Sequence, residues 1–298
     1  MNNDTKKSLV GNLGSAWNKL TDKFGPKNHI IPVVRLHGVI SAEQKPGRIN
    51  IESVNPLLEK AFETKRAPAV AIVINSPGGS PVQSRLVGNR IRELADKNDK
   101  KVMVFIEDVA ASGGYFISVV GDEVFADPSS IVGSIGVIVA GFGFEEAIAK
   151  VGITRRIYTA GKNKSTLDPF VPEKKADIER LKGFENDIHQ VFIDYVKQHR
   201  GGKLVGKDEE LFTGEWWPAV RGIELGLVDA LGDMHTVLRE RFGDDVKLKS
   251  IKAKRPIFSL PKFGLGSSAN IGSSPINGLG TDIIGALEER ALWARFGL

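Results

Sequence analysis

Cysteine is absent from this 298-residue chain, and histidine occurs only five times. The lack of cysteine excludes thiol nucleophiles and cysteine-ligated metals. It also excludes disulfides, so cysteine usage does not indicate whether the protein works in an oxidising or a reducing compartment. No apolar run approaches the roughly 18 residues that a membrane-spanning helix requires. The N-terminus also lacks the apolar core of a signal peptide. We therefore expect a cytoplasmic protein, and no metal or nucleotide cofactor is indicated.

The composition is that of a globular enzyme rather than of a nucleic-acid-binding protein. Hydrophobic residues make up 41% of the chain, which also contains 33 glycines and has a net charge of +5. This length can bury a full core, and many glycines suit an α/β fold with many turns. The charge is modest and no nucleic-acid-binding motif accompanies it, so we expect no nucleic-acid partner.

Two apolar runs of strand length each end in a glycine-rich turn. Residues 69–74 and 102–106 are continuously apolar, as expected for strands buried on both faces. Ligands of open α/β sheets bind beyond the carboxyl ends of such strands. The turns that follow the two runs are Asn75-Ser76-Pro77-Gly78-Gly79 and Asp108-Val109-Ala110-Ala111-Ser112-Gly113-Gly114.

The second turn places Ser112 where a nucleophile would be exposed. A serine on the first turn of a helix has unpaired backbone N–H groups beside it, which a developing oxyanion requires. The N–H groups of Gly79 and Gly113 are two donors that could converge there. The alternative is that both turns are glycine-rich for packing alone, and the residues by themselves do not decide between the two interpretations.

The sequence around Ser112 does not match the G-x-S-x-G nucleophile elbow, and no histidine lies in a motif that resembles a catalytic turn. Lysine is the remaining candidate base. A lysine can activate a serine only when its amine is neutral, which requires burial near the hydroxyl. One candidate tract is Gly161-Lys162-Asn163-Lys164-Ser165, although by composition alone Lys164 has no advantage over the other basic residues.

Four tracts together resemble the signal peptide peptidase A family, the S49 serine peptidases with a ClpP/crotonase-like fold. The resemblance extends from about His29 to about Asp245. The tracts, in order, are Asn75-Ser76-Pro77-Gly78-Gly79, Ala111-Ser112-Gly113-Gly114-Tyr115, Gly133-Ser134-Ile135-Gly136-Val137 and Gly161-Lys162-Asn163-Lys164-Ser165.

This resemblance implies a role for each residue of the site. Ser112 would be the nucleophile, Lys164 the general base, and Ser134 the hydroxyl that orients the base. Gly79 and Gly113 would form the oxyanion hole. Lys162 is the neighbouring alternative, and Lys164 is preferred because it occupies the fourth position of the Gly-x-x-Lys segment. The implied substrates are extended apolar peptides such as cleaved signal peptides, and the implied assembly is a homo-oligomeric ring or dome.

The remaining patterns predict an α/β spiral of repeated β-β-α units with an amphipathic helix at each end. We expect an N-terminal extension at 1–28, a peptidase domain at 29–255, and a Gly/Ser-rich linker with a terminal helix at 256–298. The terminal helices would contact other subunits, their own domain or the membrane surface. In the last case the protein would be peripheral to the inner membrane. Helices are expected near 53–65, 80–98, 143–151, 173–199, 216–225 and 233–243, and strands at 30–36, 69–74, 102–106, 123–126, 135–140 and 153–158.

The predicted activity is therefore that of a serine endopeptidase with a Ser112–Lys164 dyad, acting through an acyl-enzyme. Two alternatives remain open from the sequence. A crotonase-type acyl-CoA hydratase or isomerase would share the turn donors but use carboxylates as acid and base. A non-catalytic scaffold at the membrane would use only the two amphipathic ends.

Overall fold

The computed structural model describes residues 29–252 and 289–298. The predicted extension at 1–28 and the linker at 256–288 lie outside the described residues. The strands are β1 Ile30–His37, β2 Val39–Ile40, β3 Arg48–Ile49, β4 Ala69–Ser76, β5 Lys101–Ala111, β6 Glu123–Ala126, β7 Ile131–Gly133, β8 Trp216–Pro218, β9 Ala230–Leu231 and β10 Lys247–Ser250. The helices are α1 Ile51–Phe62, α2 Pro81–Asn98, α3 Gly113–Ser118, α4 Glu145–Lys150, α5 Lys175–Arg200, α6 Asp208–Leu211, α7 Ala219–Glu224 and α8 Met234–Phe242. Residues 289–294 are also helical.

The centre of the structure is a largely parallel sheet in the order β10-β1-β4-β5-β6-β9. Every residue of β4 is buried, and β5 is buried along most of its length. The alternation of side chains across β4 explains this, because Val70, Ile72 and Ile74 face one core cluster. The intervening Ala69, Ala71 and Val73 face the other cluster. Because both faces of β4 contact a core cluster, every residue of its continuous apolar run is buried, as the sequence predicted.

Helices cover both faces of the sheet. Apolar residues of α1, α2, α3 and α5 pack with one face in the larger cluster. Residues of α8 pack against the opposite face. An α/β sheet with helices on both sides confirms the predicted fold class and is consistent with the ClpP/crotonase-like fold.

One edge of β5 is shared by two short strands. β6 pairs in parallel with residues 103–106 of β5, and β7 pairs in parallel with residues 109–111. The pairing of β4 with β5 shifts register between Ile74 and Ser76, beside the same break. A bulge of this kind bends a strand and re-aims the residues beyond it. The end of β5 is thereby directed toward β7 and the loop that follows it.

Several predicted elements differ from the structure. The described residues contain no strand at 135–140 or at 153–158, and much of both segments is exposed. These two segments do not pair with any strand of the sheet, so their apolar pattern does not correspond to buried strands. The helix predicted at 216–225 begins at Ala219, because Trp216–Pro218 pairs antiparallel with β7. Within the residues that the structure describes, no helix is long and apolar enough to cross a membrane.

Candidate active site

The turn after β4 is built by side chains at the end of the strand. Asn75 is buried, and its Nδ2 donates to Asp108 at 2.5 Å while its Oδ1 accepts the N–H of Val109 at 3.3 Å. Asn75 therefore ties the end of β4 to the bulge in β5. Gly79 has a φ of 136°, and a Cβ at this position would lie 2.0 Å from the carbonyl oxygen of Ile40. Only glycine fits a backbone of this conformation so close to another chain segment.

Ser112 occupies a strained turn between β5 and α3. Its φ is 50° and its ψ is −119°, a region that L-amino acids other than glycine rarely adopt. The surrounding backbone holds it there: its N–H donates to Gly133 at 2.9 Å, and its carbonyl accepts the N–H of Phe116 at 2.9 Å. The sequence lacks the G-x-S-x-G motif, yet the structure has the sharp strand-to-helix turn with which that motif presents a serine.

The amides of Gly79 and Gly113 are neighbours beside Ser112. A Cβ on Gly113 would lie 3.3 Å from the amide nitrogen of Gly79 and 2.5 Å from Ser84 Oγ. Neither amide donates a hydrogen bond to another residue in the described part of the chain. Gly113 is the first residue of α3, where a helix leaves its N–H groups without intrahelical partners. Two adjacent free donors of this kind can hold the oxygen of a tetrahedral intermediate.

The short helix α3 is held rigidly behind Ser112. All six of its residues are buried. The hydroxyl of Tyr115 donates to the carbonyl of Leu227 at 2.9 Å, and burial raises the pKa of that hydroxyl. The ring of Phe116 stacks against Phe192 at 4.6 Å and against Tyr195 at 4.3 Å, both on α5. This packing fixes the first turn of α3, and with it the direction of the Gly113 amide.

A buried ion pair holds the loop to which Tyr115 of α3 is hydrogen-bonded. Arg200 is 1% exposed and lies 3.1 Å from Asp229, whose other hydrogen-bond partners include the N–H of Val124. Burial disfavours ionisation of Asp229, but the cations of Arg200 and Lys203 outweigh it and hold the pKa of Asp229 below its ordinary value. Arg200 also donates to the carbonyl of Gly226, next to the carbonyl that Tyr115 uses.

Ser134 directly follows β7 and lines the same cleft as Ser112. Its φ is 53°, its N–H donates to Glu215 at 2.6 Å, and the residue is 7% exposed. No residue in the described ranges hydrogen bonds to its hydroxyl. Buried hydroxyls are nearly always paired, and this one lines the cleft, where it is open to a group that enters the cleft.

The two candidate bases lie elsewhere. Lys164 is exposed, and its backbone N–H closes a turn to Gly161 at 3.2 Å. Lys162 lines a separate cavity of about 220 Å³ together with Asp168 and Asp177. Neither lysine lines the cleft that contains Ser112. The structure of one chain thus brings together Ser112, Ser134 and the two glycine amides, and it leaves Lys164 apart from them.

The cleft itself has a volume of about 570 Å³ and is lined mainly by apolar and small side chains. In the described part of the chain, no three carboxylate or histidine side chains cluster as a metal site would require. The lining residues are Pro77, Gly79, Pro81, Ser112, Gly113, Phe116, Ser134, Gly136, Val137, Ile138, Ile188, His189, Phe192, Thr213, Gly214, Leu292, Arg295 and Phe296.

Two contributors to this cleft carry no local sequence motif. His189 of α5 places its Nε2 3.0 Å from the carbonyl of Ile135, so it donates to the turn that holds Ser134. The segment 289–298 supplies Leu292, Arg295 and Phe296 from the far end of the chain. The helical pattern of the terminal segment was visible in the sequence, but its position beside Ser112 depends on tertiary packing.

Comparison with known proteins identifies the family. The family model of Peptidase family S49 matches residues 95–248, which include Ser112, Ser134 and Lys164. The chain is 30% identical over 207 residues to a putative protease of Synechocystis, covering 66% of this chain and 73% of that protein. It is 27% identical over 223 residues to a putative signal peptide peptidase SppA of Enterococcus faecium, covering 72% of this chain and 64% of that protein.

A further relative has a different name. The chain is 54% identical over 272 residues to a protein of Brucella abortus named Na(+)/H(+) antiporter NhaA. The alignment covers 90% of this chain but 37% of that protein, so the chain spans little more than a third of its length. The antiporter name describes that longer protein. Because the family model covers more than half of this chain, and with it the turn of Ser112, the chain belongs to peptidase family S49.

Proposed function

We propose that this protein is a serine endopeptidase in which Ser112 is the nucleophile and Lys164 is the general base. The observation that carries the proposal is the pair of adjacent, unpaired amides of Gly79 and Gly113 beside a serine in a strained turn. Such donors stabilise negative charge that develops on a carbonyl oxygen. The family relationship and the position of Lys164 within the matched segment support the assignment of the base.

The reaction would proceed through an acyl-enzyme. The neutral amine of Lys164 takes the proton of the Ser112 hydroxyl as Oγ attacks the peptide carbonyl carbon. The amides of Gly79 and Gly113 hold the resulting oxyanion until the C–N bond breaks. Lys164 then returns the proton to the leaving amine. Water then attacks the acyl carbon and loses a proton to Lys164, which passes that proton to Ser112 Oγ as the C–O bond of the acyl-enzyme breaks.

This chemistry requires a buried amine, and we propose that a neighbouring subunit provides the burial. Lys164 is exposed in one chain, while the buried hydroxyl of Ser134 has no partner among the described residues. An amine inserted from a second copy would satisfy that hydroxyl and would itself leave water, which lowers the pKa of a lysine.

The segment that precedes Lys164 in the sequence has the character of a subunit contact. Ile138, Phe142 and Tyr158 are 64%, 81% and 90% exposed, although each is apolar or aromatic. Exposed apolar residues concentrated in one segment are typical of an interaction surface. A closed ring or dome, as the family resemblance implies, would bury this segment in each copy and join each Ser112 to Lys164 of the neighbouring subunit.

The proposed substrates are extended apolar peptides, among them remnants of cleaved signal peptides. The lining of the cleft supports an apolar substrate, since Val137, Ile138 and Phe192 contribute to it. The proposed location is cytoplasmic and peripheral to the inner membrane, as the sequence predicted. We do not propose ion transport, because Ser112, Ser134 and Lys164 all lie within residues 95–248, which match the peptidase family.

A fluorophosphonate probe tests the nucleophile and the base together. We expect the assembled wild-type protein to be labelled and Ser112→Ala to remain unlabelled. Lys164→Ala should lose most labelling, whereas the matched variant Lys162→Ala should keep it. Equal labelling of wild type and Lys164→Ala would refute the assignment of the base. Turnover of an acyl-CoA thioester that survives in Ser112→Ala would instead support the hydratase alternative.

A further inference from the structure

The terminal segment 289–298 packs against the carboxyl ends of the central strands. Phe296 is 8% exposed and joins Val109 and Ala111, the residues just before Ser112, in a small apolar cluster. Its ring also meets the edge of Trp216 at 5.8 Å. The segment is thus anchored to the same strand that presents the nucleophile.

Two further contacts hold the helical part of the segment in place. Trp293 stacks on His37 at the end of β1, with ring centroids 5.7 Å apart. Glu289 forms an ion pair of 3.2 Å with Arg48, whose side chain is mostly buried. The segment therefore bridges β1, β3 and β5 and closes one side of the cleft.

The segment also provides the charge of the cleft. Among the described residues that line it, Arg295 is the one with a permanent charge, and no acidic side chain is among them. In the described ranges, the guanidinium of Arg295 has no ion-pair partner. An apolar cleft with a single unpaired cation is suited to an apolar ligand that carries one negative group.

A carboxylate is the anion that best matches this feature in a peptide substrate. A guanidinium presents its N–H groups in a planar fork that binds both oxygens of a carboxylate. A peptide has two sources of this group, the α-carboxylate at its C-terminus and an acidic side chain. The apolar lining of the cleft favours the α-carboxylate, because it requires no polar side chain in the bound segment.

We propose that segment 289–298 forms one wall of the substrate cleft and that Arg295 binds a carboxylate of the peptide substrate. This inference rests on the proposed peptidase function, since it deepens the specificity of the same site. It makes Arg295 a residue that determines specificity: peptides whose C-terminus lies near the scissile bond are bound in preference to interior segments of long chains.

Binding to the full-length, assembled Ser112→Ala protein tests this inference without depending on turnover. Calorimetry would compare one apolar peptide as the free acid, as the C-terminal amide, and as an amide with glutamate at its last position. We expect the free acid to bind about tenfold more tightly than the amide, a difference that corresponds to about 1.4 kcal/mol for the charge-assisted pair. Tight binding of the glutamate peptide as well would keep Arg295 as the carboxylate site but would overturn the preference for a peptide C-terminus.

The matched control lies in the same helical segment. Arg290 is exposed and is not among the lining residues of the cleft. Introducing Arg295→Gln should reduce the preference for the free acid to about one, whereas Arg290→Gln should leave it at about tenfold. Equal binding of acid and amide by the Ser112→Ala protein, or an undiminished preference in Arg295→Gln, would overturn the inference.

The outcome is separable from that of the proposed function. A protein that fails to react with the fluorophosphonate probe yet prefers the free acid would lose the peptidase mechanism and keep the carboxylate site. A protein that reacts with the probe and binds both peptides equally would keep the mechanism and lose the role of Arg295.

Discussion

The two halves of the proposed dyad lie in regions of opposite character. Ser112 stands between a buried strand and a buried helix, and its backbone conformation is fixed by hydrogen bonds on both sides. Lys164 lies in a stretch without helix or strand that follows the short helix α4. Most residues from 137 to 164 are exposed, including most of those in α4. The chain's own core thus fixes the surroundings of Ser112, whereas it does not bury Lys164.

This difference separates what a nucleophile needs from what a lysine base needs. A serine hydroxyl requires orientation and nearby donors, which a turn between a strand and a helix can provide. A lysine base requires exclusion of water, which takes a large amount of surrounding protein. We infer that the exposed region becomes structured as a site only when another copy covers it.

The largest expected effect comes from removing either half. Ser112→Ala and Lys164→Ala should each lower kcat/KM by about 10³-fold or more, because nucleophile and base act as a unit. Mixing the two inactive variants in equal amounts, with dissociation and reassembly, should restore activity to about one quarter of wild type if neighbouring subunits share each dyad. Peptide hydrolysis of the mixture measures this. No recovery after verified subunit exchange would place both residues in the same chain.

A glycine that lines the cleft and one that does not provide the next contrast. Gly79→Ala should lower kcat by about 10²- to 10³-fold, because a Cβ that meets the carbonyl of Ile40 must displace an oxyanion donor. Gly202→Ala is the control, since nothing lies within 4 Å of a Cβ at that position and the residue lies outside segment 137–164. It should retain the kcat of wild type in peptide hydrolysis. A comparable loss in both variants would contradict the proposed role of the Gly79 amide.

The buried ion pair behind α3 should matter for stability rather than for chemistry. Asp229→Asn leaves the guanidinium of Arg200 buried without its counter-charge and should cost about 3 kcal/mol in the free energy of unfolding. Asp208→Asn, which breaks the exposed pair with Lys197, should cost less than about 1 kcal/mol. Urea unfolding at one fixed protein concentration compares the two. Equal losses would mean that the Arg200 pair is not specially costly to break.

The same pair predicts a direction for the pH dependence. The pKa of Asp229 is held below its ordinary value in the folded state, so its contribution to stability is present above the unfolded pKa of about 4. That contribution is lost as the pH falls through the folded value. Asp229→Asn should therefore lose less stability than wild type between neutral pH and pH 3, measured by the same unfolding experiment.

The contrast between the two regions also sets the limits of prediction from sequence. The continuous apolar runs at 69–74 and 102–106 predicted β4 and the first half of β5 correctly, because a strand buried on both faces leaves few alternatives. β5 continues to Ala111, through residues that the sequence placed in the turn, because residues 109–111 pair with β7. Apolar residues also suggested strands at 135–140 and 153–158, which the described structure lacks. An apolar pattern indicates that a surface will be buried, but it does not say whether the chain's own core or another molecule covers it.

The candidate site was predicted to the extent that its parts lie in local motifs. Ser112, Ser134 and the two glycines were identified by the tracts that carry the family resemblance, and the structure brings these four to one cleft. His189 and Arg295 reach the cleft from a long helix and from the chain's last residues, with no motif around either. The positive φ of Ser112 depends on how β7 and α3 hold the turn, which tertiary structure alone determines.

The smallest predicted effect concerns the strain at that turn. A residue other than glycine with a φ of 50° costs about 1–2 kcal/mol, and glycine relieves it. Ser112→Gly should therefore be more stable than Ser112→Ala by about 1 kcal/mol after the greater unfolded-state entropy of glycine is subtracted. Both lack the hydroxyl, so the difference in urea midpoint reports the backbone alone.

Ser129 offers the matched pair for this measurement. It lies in an exposed turn without a positive φ, so Ser129→Gly should be no more stable than Ser129→Ala. If the glycine variant is the more stable one at position 112 but not at position 129, the fold holds Ser112 in a backbone conformation that is unfavourable for a residue with a Cβ. The free energy needed to do so would come from the packing of α3 and β7, which the region around Lys164 lacks. An equal order at both positions would show that Ser112 is not strained and would remove the physical basis of the contrast.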